Sequence, residues 1–422
     1  MEMGIQNLEH ISRPLKSGGK VVLLNTGAEM GAEDVAMLQA LYSRSPKGIS
    51  EHLAQLAKAG SGKFMETFYI GYGHKSIGDC GDAILFIEGV SMLVTKAVQD
   101  WMLYVGQECS TRYLNFVSQL FLDVMNTPES NAILEGWRSF YGANMEAVRA
   151  HVAAQFPRQE GEDEKIYSKA VNARAFDIMR SFLPAGATTS LSWMVNLRQA
   201  GDKLLELRHH PLEEVRSVAQ AIEEVMAEGH PNSVPKRYEA TEAYYDRWMR
   251  EGYLFTPKEW PLEVTLARQG VDKIQLAEMR FLASRPPKTD LPKKVARTGT
   301  CQFQFALDFG SYRDIQRHRA VIQQMPLLGV DFEFEDWYLN SLPPALSAEV
   351  REEVLPAFEL WYQHQLESGV PAELLQYYTP MGYRVPCEVT GALPALVYLV
   401  EFRSGLAVHP TLRRRAQAMA EI

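Results

Sequence analysis

The chain has 422 residues, enough for two or three domains or for one large duplicated unit. Apolar residues make up 46% and charged residues 23%, as in ordinary soluble globular proteins, and a net charge of −9 argues against broad, sequence-independent binding to DNA or RNA. Four cysteines (Cys80, Cys109, Cys301, Cys387) stand far apart without a Cys-x-x-Cys pair, which points to a reducing, cytoplasmic setting and to no metal site.

The opening Met1-Glu-Met-Gly-Ile5 lacks the charged-then-apolar pattern of a signal segment, and no apolar run reaches membrane-spanning length, so no membrane association is expected. Lys20–Asn25 reads as a short strand and Glu33–Tyr42 as an amphipathic helix. Gly71-Tyr-Gly-His-Lys-Ser76 is a tight loop presenting His74. Ala83–Ile87 reads as a buried strand, and Val94, Ala97, Val98, Trp101, Met102 and Val105 recur at helical spacing. That helix leads into the polar run Gln107–Tyr113. Phe156–Lys165 is a charged loop, and a helix runs through Ala170–Phe182 to stop before Pro184. Thr189–Arg198 leads to a last helix of this half, with the core stripe Val215, Val218, Ala219, Ile222, Val225 and Met226.

His230–Pro235 breaks the pattern, which divides the chain into 1–245 and 246–422. In the second part, Pro261–Ala283 reads as helical and Arg285–Lys294 as a stiff exposed loop. The alternating run Gln302–Phe309 is a strand that feeds Tyr312–Arg319, a helix dense with guanidinium groups. Further helices follow through Glu349–Leu366, where Pro356 forces a break or kink, through Leu393–Arg403, and beyond Pro410. Element order repeats: Ala83–Ile87 into Val94–Val105 parallels Phe303–Phe309 into Tyr312–Ile322, and Arg208-His-His-Pro-Leu212 parallels Arg403…His409-Pro-Thr-Leu412. The expected fold class is α+β: two tandem related units, each a mixed sheet with flanking helices.

Four clusters carry chemistry. Arg313, Arg317, His318 and Arg319 offer forked guanidinium groups suited to phosphate, unless they form only a solvated helix face. Glu108, Ser110, Arg112 and Tyr113 put a carboxylate, a hydroxyl, a guanidinium and a phenol within six residues, enough to clamp a nucleotide or simply to cap a helix. Arg180, Asn196, Arg198 and Arg208 form a third group, either ligand-binding or structural. His74 in its glycine loop is the fourth, and a lone loop histidine is as readily structural as catalytic.

Together these clusters resemble the flavin-dependent thymidylate synthases. In the first half, Gly73-His-Lys-Ser76 matches that family's Gly-His-x-Ser loop, and Glu108, Ser110, Arg112 and Tyr113 match Glu-x-Ser-x-Arg-Tyr. Arg180 with Leu183-Pro184 matches Arg-x-x-Leu-Pro, and Asn196, Arg198 and Arg208 match the remaining positions. Where the family has Arg-His-Arg, the first half has Asp100-Trp101-Met102, whereas the second half keeps Arg317-His318-Arg319 and an arginine, Arg403, like the last of the pattern. The second half has Met325–Val330 in place of Glu-x-Ser-x-Arg-Tyr and Gln376-Tyr-Tyr-Thr-Pro380 in place of Arg-x-x-Leu-Pro. The losses are complementary.

The resemblance implies reductive methylation of dUMP, with methylenetetrahydrofolate, FAD and NADPH, at composite sites drawing on both halves, in a homodimer that mimics the family's tetramer. It implies FAD on Arg317, His318, Arg319, His74, Asn196 and Arg198. It implies nucleotide on Glu108, Ser110, Arg112, Tyr113, Arg180 and Arg208 or Arg403, with Arg317, Ser110, Arg208 and Arg403 nearest the chemistry. Asp314 and Gln107 depart from the family's residues near the base, which leaves another uridine nucleotide as substrate. A non-catalytic flavin- or nucleotide-binding scaffold is the alternative.

Overall fold

A computed structural model describes residues 10–24, 30–111, 114–255, 257–323 and 326–422. They fall into two compact units that interleave along the chain. One comprises the residues up to Val90 with Leu103–Cys109 and Thr188–Tyr253; the other comprises Ser91–Met102, Ser110–Ala187 and Leu254–Ile422. The strands are β1 (His10–Pro14), β2 (Lys20–Leu24), β3 (Asp82–Ser91), β4 (Thr188–Asn196), β5 (Thr265–Gln269), β6 (Thr300–Asp308) and β7 (Arg384–Ala392). The longer helices are α1 (Ala32–Tyr42), α2 (Ile49–Ala59), α3 (Met92–Gln99), α4 (Pro128–Gln155), α5 (Glu164–Met179) and α6 (Leu197–Leu207). They continue with α7 (Glu213–Gly229), α8 (Glu239–Trp248), α9 (Phe309–Ile315), α10 (Leu355–Glu367), α11 (Leu393–Arg403) and α12 (Pro410–Glu421). The class is α+β, as expected.

In the first unit the sheet order is β1-β2-β3-β4, antiparallel from β1 to β3. β3 buries Ala83, Leu85 and Ile87, the period-two face of a strand. A core of Ala36, Ala40, Met65, Tyr69, Ile77 and Leu197 joins α1 to α6. In α7 the stripe Val215, Val218, Ala219, Ile222 and Val225 is buried, with Met226 at its half-buried edge.

In the second unit β5-β6-β7 form an antiparallel sheet. Its aromatic core stacks Phe182 on Phe334 at 5.1 Å, with Trp137 edge-on to Phe358 at 5.4 Å. Here several sequence expectations change. The helix expected over Val94–Val105 stops at Gln99, because Asp100 leaves helical geometry as its C-cap. The stretch Pro261–Ala283 is not one helix: Thr265–Gln269 pairs with β6, and only Lys273–Glu278 is α-helical. The break expected at Pro356 is an interruption of the α-helical ladder: the helical run continues from Pro344 into α10, and Val350–Val354 just before the proline are π-helical.

Like elements recur within this unit. Ser91 Oγ accepts from Val94 N at 3.3 Å to cap α3, and Asp308 Oδ1 accepts from Ser311 N at 2.9 Å to cap α9. The segments around Pro184 and Pro380 pair antiparallel through a bridge between those two prolines. Ala185 N donates to Thr379 O (3.0 Å) while Met381 N donates to Leu183 O (2.9 Å). Gly186 N donates to Tyr377 O (2.9 Å) while Gly382 N donates to Ser181 O (2.8 Å). Each bond reappears with the two segments exchanged, as across the two-fold axis of an isologous interface.

Candidate functional site

The arginine-rich segment is not one helix. α9 ends at Ile315, Gln323 Nε2 donates to the Ile315 carbonyl at 3.2 Å, and Gln316 Nε2 donates to the Lys96 carbonyl at 3.0 Å. Arg317, His318 and Arg319 therefore sit in the turn that follows, closed by His318 N donating to Ile315 O at 2.9 Å. Arg317 and Arg319 face solvent, whereas His318 is 7% exposed. His318 Nε2 accepts from Arg403 Nε at 2.7 Å, which assigns the imidazole proton to Nδ1, an atom buried without a partner. Burial, with the Arg403 charge beside it, pushes His318 down to about 4, so it is neutral near pH 7.

Asp314 is the anion of this cluster. Its carbonyl accepts from Arg403 Nη2 at 2.8 Å, and its carboxylate lies 3.8 Å from Arg317 Nε. The same carboxylate favours the charged form of Arg313 and of Arg180. Arg180, the C-cap of α5, is half-buried, and its Nε and Nη2 are shut away from solvent with no hydrogen-bond partner. Burial opposes its charge, and Tyr338, Asp177, Asp314 and Asp308 outweigh that and hold its pKa above the ordinary value. The corresponding residue of the second half, Gln376, is fully satisfied: its Oε1 accepts from Leu328 N at 3.0 Å and its Nε2 donates to Glu373 O at 3.1 Å.

Beneath the cluster, Lys96 is 1% exposed, and its unpartnered Nζ lies 3.9 Å from the Tyr312 ring centre. Burial brings it down to about 7, with the Asp100 charge acting against that fall. Lys96 and Arg313 occupy like positions, each five residues past its helix cap (91 to 96, 308 to 313). Arg313 too is pulled down by burial, to about 10. Ser110 is exposed in this same unit, and Arg112 and Tyr113 lie outside the described residues, as does Met325.

The other predicted residues fall in the first unit. There a cavity of about 650 Å³ is lined by Tyr69, Gly73, Lys75, Arg198, Arg208 and Glu242, among others. Asn196 caps α6 by accepting from Gln199 N at 2.9 Å. Arg198 bonds Asp79 at 2.6 Å and Asp202 at 3.0 Å. Arg208 is gripped by carboxylates: Nη1 meets Glu223 at 3.0 Å, while Nε (2.7 Å) and Nη2 fork onto Glu242. His74 is exposed, stacked on Phe68 at 6.2 Å and on Tyr72 at 5.9 Å, with Nδ1 3.2 Å from Arg44. Glu108 is half-buried and bridges Leu191 through its backbone.

The Arg208 hydrogen bonds, against a smaller opposing effect of burial, hold Glu242 down to about 2. A depressed carboxylate contributes stability that is full above its ordinary pKa of 4.5 and is lost as pH falls from there toward 2. Glu242→Gln is therefore expected to destabilise the protein by roughly 2 kcal/mol at neutral pH, allowing for partial solvent screening. The difference from wild type should shrink as urea unfolding is repeated toward pH 3.

Sequence reasoning missed the carboxylate partners Asp79, Asp202, Glu223 and Glu242, which lie up to 119 residues from the arginines they hold. It also missed Lys96, although alignment of the two helix caps would have paired it with Arg313. Among the described residues no cluster of His, Cys, Asp and Glu could hold a metal ion, and no helix is long and apolar enough to cross a membrane.

Residues 25–232 match the model of the family described as thymidylate synthase complementing protein. A UPF0159 protein of Chlamydia pneumoniae is 23% identical over 84% of this chain and 77% of its own length. One from Chlamydia muridarum is 24% identical over 83% and 76%, and one from Thermoplasma acidophilum 20% identical over 90% of each. The crystal structure of a UMP/dUMP methylase, PolB from Streptomyces cacaoi bound with 5-Br UMP, superposes with a TM-score of 0.31. It is 12% identical and covers 54% of this chain and 96% of that one.

Proposed function

We propose, from the match of residues 25–232 to the thymidylate synthase complementing protein family, that the chain methylates carbon 5 of a uridine nucleotide, dUMP first among them. FAD would carry the hydride, with methylenetetrahydrofolate supplying the carbon and NADPH the electrons. The observation that carries this reading lies within one compact unit. Arg180 from the first half of the sequence shares the field of Asp314 with Arg313, Arg317 and Arg403 from the second. Asp177 and Asp308 also lie in the field of Arg180, and guanidinium forks gathered in this way suit phosphates. The orphaned donors of Arg180 and His318 fit an anionic group as well.

In this account Arg317 and Arg319 hold the flavin phosphates, and His318, kept neutral, fixes Arg403. Arg180 and Ser110 take the nucleotide, together with Arg112 and Tyr113. For the charge beside the pyrimidine carbonyl, the pairing favours Arg403 over Arg208. Arg403 hydrogen-bonds to a neutral imidazole and a backbone carbonyl, whereas Arg208 is neutralised by Glu223 and Glu242. A guanidinium there stabilises the negative charge that builds as carbon 5 becomes nucleophilic. The exchanged hydrogen bonds around Pro184 and Pro380 support two halves that stand in for two subunits, so that two chains would complete a pseudo-tetramer.

The test is spectroscopic. The purified chain should take up FAD, and dUMP or UMP should perturb the flavin spectrum. Arg317→Ala should weaken flavin binding about tenfold or more, the loss expected for a charge-assisted phosphate contact. A folded chain that takes up no flavin would sink the proposal. Flavin uptake with no response to either nucleotide would favour a scaffold.

A further inference from the structure

We propose that Tyr398 and Phe402 form a stacking platform for a flat heteroaromatic ring whose phosphate rests on Arg317 and Arg319. The inference deepens the proposed function and rests on it only in taking those arginines as phosphate ligands. α11 buries Leu396 and Leu399 on its inner face, which leaves Tyr398 47% and Phe402 57% exposed on the other. Four residues apart on a helix, they stand one above the other. Their rings lie nearly parallel, 18° apart, with centres separated by 5.7 Å.

The position of this pair is what identifies its ligand. The imidazole of His318, the middle residue of the arginine turn, meets both rings edge-on, at 5.8 Å from Tyr398 and 5.9 Å from Phe402. Arg403 ties the two features together, with its guanidinium 5.2 Å from the Phe402 ring centre and its Nε on His318. Two half-exposed aromatic faces thus adjoin two exposed guanidinium groups. Aromatic faces bind bases by stacking whatever the base, and guanidinium forks hold the phosphate the base carries.

The intact chain should be titrated separately with riboflavin 5′-phosphate, ADP, UMP and, as a ringless control, inorganic pyrophosphate. The double variant Tyr398→Ala/Phe402→Ala is expected to weaken at least one ring-bearing phosphate by about tenfold to a hundredfold, the range for lost base stacking. Pyrophosphate affinity and melting temperature should stay at wild-type values, and Tyr398→Phe should bind within about twofold of wild type, since the ring face is kept. The ligand that loses affinity identifies the ring. The platform is overturned if the double variant binds all three like wild type, if wild type binds none of them, or if only the sedimentation of the chain changes. Loss of ADP binding in a chain that takes neither flavin nor uridine nucleotide would keep the platform and refute the proposed function. Flavin binding in a chain whose affinity for flavin, ADP and UMP alike ignores the double variant would do the reverse.

Discussion

Arg180→Met should lose about 3–5 kcal/mol of stability, read as a lower urea midpoint at unchanged slope, and should abolish nucleotide binding. The size follows from what the guanidinium leaves behind. Asp308 is completely buried, and burial already raises its pKa. Its carboxylate accepts from Thr411 Oγ1 at 2.6 Å, Tyr338 OH at 2.7 Å and Ser311 N at 2.9 Å, which solvates the charge without cancelling it. Arg180 supplies the countercharge, with Asp177 and Asp314 also in its field. Methionine fills the volume and removes the charge, so a buried carboxylate is left uncompensated. Arg180→Lys separates the two consequences. It keeps the charge, and so should recover most of the stability, yet a point charge does not reproduce the fork that grips a phosphate. A variant in which both properties recover together would show that Arg180 acts through charge alone.

Lys96→Met should flatten the pH dependence of stability. Burial holds Lys96 near 7 in the folded chain against 10.5 when unfolded. Between those values the unfolded chain binds a proton that the folded chain does not, so this group makes stability rise with pH, by roughly 1.4 kcal/mol per unit at most. Below about pH 7 both states hold the proton and the full cost of burying the amine remains. Methionine keeps the packing against Tyr312 and Phe309 and carries no proton. The variant should therefore exceed wild type most clearly near neutral pH and converge with it toward pH 10.5, as measured by urea unfolding across that range. A wild-type profile already flat across that window would show that Lys96 stays protonated in the fold.

Much of this was written locally in the sequence. The alternation of Gln302–Phe309 fixes β6, and the apolar spacing with its terminal Arg403 fixes α11, because both signals depend on neighbours in the chain. The complementary motifs, Arg317-His318-Arg319 in one half and Glu108, Ser110 and Arg180 in the other, are short patterns readable without coordinates. What stayed hidden depends on distant contacts. The helix expected beyond Gln99 fails because Val105 is taken by Met194 in a bridge, and the helical reading of Thr265–Gln269 fails because β6 offers that segment a partner. The carboxylates that neutralise Arg208 come from α7 and α8, and no local rule predicts which arginine a distant glutamate will hold. The platform residues Tyr398 and Phe402 lie on a helix with apolar residues all round, and only their exposure sets them apart.

The central claim is that flavin-side residues of one half and nucleotide-side residues of the other serve one methylation. It is tested most directly by release of tritium from carbon 5 of labelled dUMP by the purified chain with FAD, methylenetetrahydrofolate and NADPH. The account predicts release that requires flavin and folate and that is lost in Arg317→Ala and in Arg180→Lys alike, each variant remaining folded. Release that survives Arg317→Ala, or a folded chain that binds flavin and frees no tritium from dUMP or UMP, would contradict it.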